Sequence, residues 1–384
     1  MTFNRFLLIL LSCSLCLPLV ACAGDNTPLD SGSVSDTHSE SSDSQTDEKD
    51  TTDSNEQSPI IKQQNYALGD IADSLKIVGR SYATGDGIVC DLAADGIEFN
   101  AYIEGELKLS LTTNNPTYFT LFVDGERIEE RISTPKGNST VTLANLQGEH
   151  SLRLLKQTES MNSCTVLNNL EFKGYLSERP KDRRFYIEFI GDSLTSGYGI
   201  LCDNSTPDGG SAIYKDATKT FAFLTAETLK ADYSLVSCTG IGVAAGFRDF
   251  TMDAFYPVTS YYRDQNQLYT SKITPDAVVI NLGTNDRSNQ ASESNFHTKA
   301  EALLAQVRKL HGENVPIVWV LNKSNGSFNL IIEQTLAELG GENAKLYTVE
   351  INLDSLGGGS HPSAASHATQ AETLTSYLKN NLDF

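Results

Sequence analysis

Phe185-Tyr186-Ile187-Glu188-Phe189-Ile190-Gly191-Asp192-Ser193-Leu194 decides the fold of this 384-residue chain. Its aromatic and β-branched run reads as a buried strand. The Gly-Asp-Ser step at its end reads as a sharp turn into a helix, continuing through Thr195-Ser196-Gly197-Tyr198-Gly199. Such a turn lifts a serine hydroxyl to the carboxyl edge of a parallel sheet, beside free backbone N–H groups. There a helix N-terminus can hold the oxyanion that nucleophilic attack creates. An ordinary Asp/Ser helix cap is the plainer reading of the same residues.

Two further stretches share the pattern. In Asp276-Ala277-Val278-Val279-Ile280-Asn281-Leu282-Gly283-Thr284-Asn285-Asp286 a β-branched run again stops at glycine. Asn285 then lies at the same edge with a neutral amide suited to an oxyanion, unless it and Asp286 only stabilise a turn. The third stretch, Gly357-Gly358-Gly359-Ser360-His361-Pro362-Ser363, follows a strand-like Leu346 to Glu350 and precedes a helical stretch ending at Leu382. Of the six histidines, His38 lies in a polar tract and His150 in a strand-rich region. His297 and His311 belong to a helical stretch packed behind the sheet, and His367 falls inside the final helix. His361 alone sits in a loop placed to reach Ser193, as a general base or as a structural residue.

Gly-Asp-Ser-Leu, Gly-Thr-Asn-Asp and a C-terminal His-Pro, in that order, resemble the SGNH (GDSL) hydrolase superfamily over the last two hundred residues or so. The resemblance implies Ser193 as nucleophile, His361 as base, and an oxyanion hole of Ser193, Asn285 and a glycine after the next strand, Tyr233 to Ser237. Gly240 fits that place best, with Gly242 as competitor. The superfamily's usual aspartate three residues before the histidine is replaced here by Gly358. Either Asp354 swings in, or a backbone carbonyl of the glycine loop accepts the imidazole N–H. The carbonyl is the expectation.

Upstream, composition divides the chain. Residues 1–22 carry one arginine, an apolar Phe6 to Val20 core, and Leu19-Val20-Ala21-Cys22. They read as a secretory signal whose end resembles a bacterial lipobox, so Cys22 is expected to be lipidated, anchoring an exported protein to the membrane surface without spanning it. From 23 to 60 the chain is mostly Ser, Thr, Asp and Glu, with almost nothing apolar. Between Ala23 and Pro59 ten acids face one lysine, about half of the net charge of −20. That tract cannot bury enough surface to fold and reads as a disordered tether. The remaining acidity and the lack of a basic patch argue against nucleic acid.

Residues 61–176 read as short alternating strands: Ile97 to Ile103, Glu106 to Thr113, Tyr118 to Val123 with an Asp124-Gly125 turn, Ser139 to Leu143, Gly148 to Lys156, and Val166 to Phe172. Regular spacing predicts a β-sandwich or jelly roll. This domain ahead of the hydrolase, with Val123-Asp124-Gly125, Leu146-Gln147-Gly148-Glu149-His150 and Leu155-Lys156-Gln157-Thr158-Glu159, resembles carbohydrate esterase family 2. The resemblance implies deacetylation of polysaccharides such as xylan or glucomannan, in a family that includes incomplete triads.

Residues 182–384 alternate strands and helices: Phe221 to Lys230 and Leu330 to Leu339 as helices, Pro316 to Leu321 as a strand. They predict an α/β three-layer sandwich with a parallel sheet. Phe255, Tyr256, Tyr261, Tyr262 and Tyr269, in a long loop, offer a sugar-stacking surface, while Trp319 reads as core. Cys90, Cys164, Cys202 and Cys238 are compatible with two disulfides, other pairings or none. No spacing suggests a metal or phosphate loop, so no cofactor is expected. The expected function is a surface serine esterase acting on acetylated polysaccharide, as a monomer. The alternatives are a non-catalytic carbohydrate-binding lipoprotein and an esterase for lipid or peptidoglycan O-acetyl groups.

Overall fold

The computed structural model describes residues 8–13, 61–271 and 273–384. Cys22 and the tract 23–60 lie outside the described residues. Among the described ones no helix is long and apolar enough to cross a membrane.

The N-terminal domain is antiparallel, built on three long strands, Gly96–Thr113, Gly137–Lys156 and Thr165–Leu176. Each is longer than the sequence pattern suggests. Ile97 to Ile103 and Glu106 to Thr113 are one strand, and so are Ser139 to Leu143 and Gly148 to Lys156. The register slips between Leu143 and Leu146, between Leu167 and Asn169, and between Phe172 and Gly174, and such bulges bend a strand so that it serves both layers of a sandwich. Asp124 (φ +55°) and Gly125 (φ +82°) join Thr117–Val123 to Glu126–Arg127, both in the left-handed region that a two-residue hairpin requires. Ile97, Phe99, Leu109, Leu121, Leu152 and Leu170 fill the core. Leu8–Cys13 pairs antiparallel with Ser139–Ala144.

The C-terminal domain is a five-stranded parallel sheet. Its strands are β1 (Phe185–Gly191), β2 (Ala231–Ser237), β3 (Ala277–Asn281), β4 (Ile317–Asn322) and β5 (Leu346–Ile351), in the order β2-β1-β3-β4-β5. Helices α1 (Phe221–Leu229) and α4 (Ala364–Asn381) cover one face. Helices α2 (Glu293–His311) and α3 (Phe328–Glu338) cover the other, with Trp319 fully buried beneath them. The result is the three-layer α/β sandwich.

The two domains share a core. Val78, Ala93, Ala94, Phe122 and Leu155 of the first pack with Phe189, Phe223, Tyr233 and Leu235 of the second. At the seam Arg80 is wholly buried. It bonds Glu188 of β1 at 3.0 Å and the Tyr256 carbonyl at 2.7 Å, and its guanidinium lies 3.9 Å from the Tyr269 ring centroid. Glu188 also accepts from Tyr256 Oη (2.7 Å) and Ser234 Oγ (3.0 Å) and meets His311 Nε2 at 2.9 Å. Arg153 grips Glu227 through both carboxylate oxygens, at 2.8 and 2.6 Å.

Candidate active site

Ser193 stands on the first turn after β1 because the chain reverses there at Gly191. A Cβ at Gly191 would lie 2.0 Å from Thr195 Oγ1, so no larger residue fits this turn. Asp192 caps the short helix Ser193–Ser196, its Oδ1 accepting the Leu194 N–H at 3.0 Å. Burial pushes the Asp192 carboxyl up to about 7 against the opposing Leu194 N–H.

His361 comes to Ser193 from the loop after β5, with Nε2 2.8 Å from Ser193 Oγ. Its Nδ1 lies 3.0 Å from the Gly359 carbonyl. A carbonyl only accepts, so Nδ1 carries the proton and Nε2 is left to accept the serine O–H. Gly359 (φ +61°) and Ser360 (φ +58°) are both left-handed, and this curl turns the Gly359 carbonyl back onto the ring. Asp354 is engaged elsewhere: its carboxylate accepts the Ser363 N–H and Oγ–H, both at 2.7 Å, at the start of α4. Burial holds His361 below the ordinary imidazole value, against the opposing pull of the Gly359 carbonyl. Tyr198 stacks on His361 with centroids 4.1 Å apart.

The loop after β2 carries Gly240. Two carboxylates fasten it: Glu159 accepts the Thr239 N–H at 2.6 Å, and Asp286 accepts those of Val243, Ala244 and Ala245 at 2.9, 2.6 and 2.9 Å. Among the described residues the Gly240 N–H has no acceptor. Gly242 is different, since its Cα faces Asp286 and the Ala245 carbonyl. Asn285, on the short helix Thr284–Ser288 that follows β3, spans the site. Its Nδ2 donates to Asp192 Oδ2 at 3.0 Å and to the Ile241 carbonyl at 2.8 Å. Both amide protons are therefore committed in this state.

The expected aromatic surface is corrected by burial. Phe255 and Tyr256 are 2% and 1% exposed and belong to the core, and Tyr269 lies against Arg80. Tyr261 packs on Phe250 and Phe255. Tyr262, 47% exposed, still faces out, joined by Phe247 at 64%, which no sequence pattern singled out. Glu159, Lys215 and Tyr198 were also missed. Of the three only Glu159 carried a signal, the polar run Lys156-Gln157-Thr158-Glu159-Ser160 that follows a strand without a Gly or Pro. Cys90, Cys164, Cys202 and Cys238 are free thiols. Among the described residues no group of three or more His, Cys, Asp or Glu side chains is arranged to hold a metal.

Residues 189–368 match the GDSL-like Lipase/Acylhydrolase family, and residues 77–180 match Carbohydrate esterase 2 N-terminal. The chain is 31% identical over 262 residues to an acetylxylan esterase / glucomannan deacetylase of Cellvibrio japonicus, over 60% of this chain and 69% of that protein. It is 30% identical over 328 residues to the cellulase/esterase CelE of Acetivibrio thermocellus, over 77% of this chain and only 38% of that longer protein. A solved family two carbohydrate esterase from Clostridium thermocellum, in complex with cellohexaose, superposes with a TM-score of 0.71 at 28% identity, over 80% of this chain and 99% of that one.

Proposed function

This chain belongs to carbohydrate esterase family 2, and on that footing we propose that it is a serine esterase removing acetyl groups from a polysaccharide of the xylan or glucomannan type. The observation that carries the reading is the 2.8 Å contact of Ser193 Oγ with an imidazole whose tautomer leaves Nε2 free to take a proton. Ser193 Oγ attacks the acetyl carbonyl carbon as its proton passes to His361 Nε2. The Ser193 and Gly240 N–H groups receive the oxyanion. Asn285 joins them by turning one amide proton from the Ile241 carbonyl to the oxyanion, a neutral acceptor exchanged for a charged one. The carbonyl re-forms as the bond to the sugar oxygen breaks, and His361 returns its proton to that oxygen. Water then attacks the acetyl-enzyme by the same route and acetate leaves.

The exposed rings of Phe247 and Tyr262 offer faces for the sugar beside Gly240. The Phe247 N–H donates to the Gly240 carbonyl at 2.7 Å, tying that face to the oxyanion loop. The test is Ser193→Ala, assayed by acetate release from acetylated xylan and acetylated glucomannan. The loss expected is about 10⁴-fold or more with unchanged thermal unfolding. Turnover within tenfold of the parent would refute the reading.

A further inference from the structure

The chain runs on from the strand Gly137–Lys156 into the domain seam. Its continuation, Gln157-Thr158-Glu159, is fully buried and delivers the Glu159 carboxylate among groups of the hydrolase domain. Oε2 accepts the Thr239 N–H at 2.6 Å, and Oε1 accepts both Thr239 Oγ1–H and the Lys215 ammonium. Thr239 is the residue before Gly240. Lys215, itself 2% exposed, has its Nζ 5.1 Å from the centroid of Tyr198, the ring stacked on His361. A single carboxylate thus touches the oxyanion loop directly and reaches the base through two side chains, Lys215 and Tyr198.

A carboxylate is buried only against strong compensation, and an apolar side chain would seal the seam more cheaply. Burial alone would raise Glu159, but Lys215 and the Thr239 donors outweigh it and hold the carboxyl below its ordinary value, so it is charged at neutral pH.

We propose that Glu159 is a positioning residue of the hydrolase site, supplied by the β domain. It fixes the Thr239–Gly240 peptide for oxyanion binding and balances the Lys215 charge felt by His361. The proposal rests on the esterase reading above. An oxyanion donor works by being in place before charge develops, and the bonds to Thr239 N and Oγ1 set the backbone that aims the next N–H. Electrostatically, His361 faces Lys215, Glu159, the Tyr198 ring, the Gly359 carbonyl and, deeper, His367. Lys215 opposes the imidazolium that forms on attack, and Glu159 favours it.

The experiment is steady-state hydrolysis of 4-nitrophenyl acetate by the full chain across pH. Glu159→Gln is expected to lower kcat about 10- to 100-fold with little change in KM, the loss of a displaced donor. It also leaves Lys215 uncompensated, so the acid limb of kcat/KM, set by deprotonation of His361, moves to lower pH. Lys215→Met does the opposite, leaving Glu159 uncompensated and moving the limb to higher pH. The double variant Glu159→Gln/Lys215→Met brings the limb back toward the parent while the kcat deficit persists. Unchanged kcat and an unmoved limb in Glu159→Gln overturn the proposal, as does activity lost only in proportion to the folded fraction. Should Glu159→Gln fail to fold, Lys215→Met decides: a limb that stays put overturns it. Ser193→Ala keeps the two readings apart. Activity surviving there refutes the esterase itself, whereas activity lost there beside a parent-like Glu159→Gln refutes only the role of Glu159.

Discussion

His361 is oriented by a carbonyl where a Ser-His-Asp triad uses a carboxylate, and the difference is chemical as well as geometric. The Gly359 oxygen fixes the tautomer with one bond of 3.0 Å, but it carries no full charge to stabilise the imidazolium. Asp354 is close in sequence and spent on another task, receiving both donors of Ser363 at the start of α4. Asp354→Asn is therefore expected to keep kcat within about threefold of the parent, because the tautomer does not depend on it. Its cost should fall on stability, about 1 kcal/mol for weakening a charged helix cap. Steady-state kinetics beside thermal unfolding checks both. A fall to the level of His361→Ala, in a protein that melts normally, would make Asp354 the third member of a triad.

The loop that carries His361 is an element in its own right, and its glycines are not interchangeable with its serine. A Cβ on Gly357 would meet the carbonyl oxygens of Pro362, Gly199 and His361 at 2.6, 3.0 and 3.0 Å, none of which is a side chain that can step aside. Gly357→Ala must displace the histidine peptide, and a shift of ~1 Å is expected to cost about 100-fold in kcat. Ser360→Gly works in the other direction. It relieves about 1 kcal/mol of left-handed strain and adds a similar loss of chain entropy, leaving stability and kinetics near the parent. Equal activity in the two variants would show that the loop yields more than this packing allows. The glycines were readable as a loop from the sequence, and so were the strands feeding Ser193, Asn285 and His361, the first two as apolar runs stopped by glycine and the third as the strand-like Leu346 to Glu350. Two of the three long strands of the β domain read as pairs, because Gly105 and the slip between Leu143 and Leu146 interrupt the alternation just as a turn does. The grouping of Glu159, Lys215 and Thr239 was invisible for another reason. They lie on three separate stretches, and only tertiary packing brings them together.

For the whole molecule, the Arg80–Glu188 contact is the most consequential bond across the seam. Glu188 is held down to about 2 from an ordinary 4.5: burial would raise it, but Arg80 foremost, then His311 and Tyr256, outweigh burial. A depressed carboxyl stabilises the fold fully above its ordinary value and loses that contribution as pH falls toward about 2. Arg80→Met leaves Glu188 buried without its main counter-charge, at a cost of about 3–5 kcal/mol near neutrality. Glu188 then titrates higher, so acid neutralises it in the folded variant while the parent keeps its charge. The deficit should therefore narrow between pH 7 and pH 4, read as the difference in urea midpoints. A deficit equal at both pH values would place the cost in lost packing. The same seam has a meaning for heredity. The polar stretch Ser177-Glu178-Arg179-Pro180 looks like an ideal crossover point for shuffling esterases with new β domains. A crossover there separates Arg80 from Glu188, Arg153 from Glu227 and Glu159 from Thr239 in one stroke. Chimeras cut at that point inherit half of each handshake, so the two domains must be passed on together or altered as matched pairs.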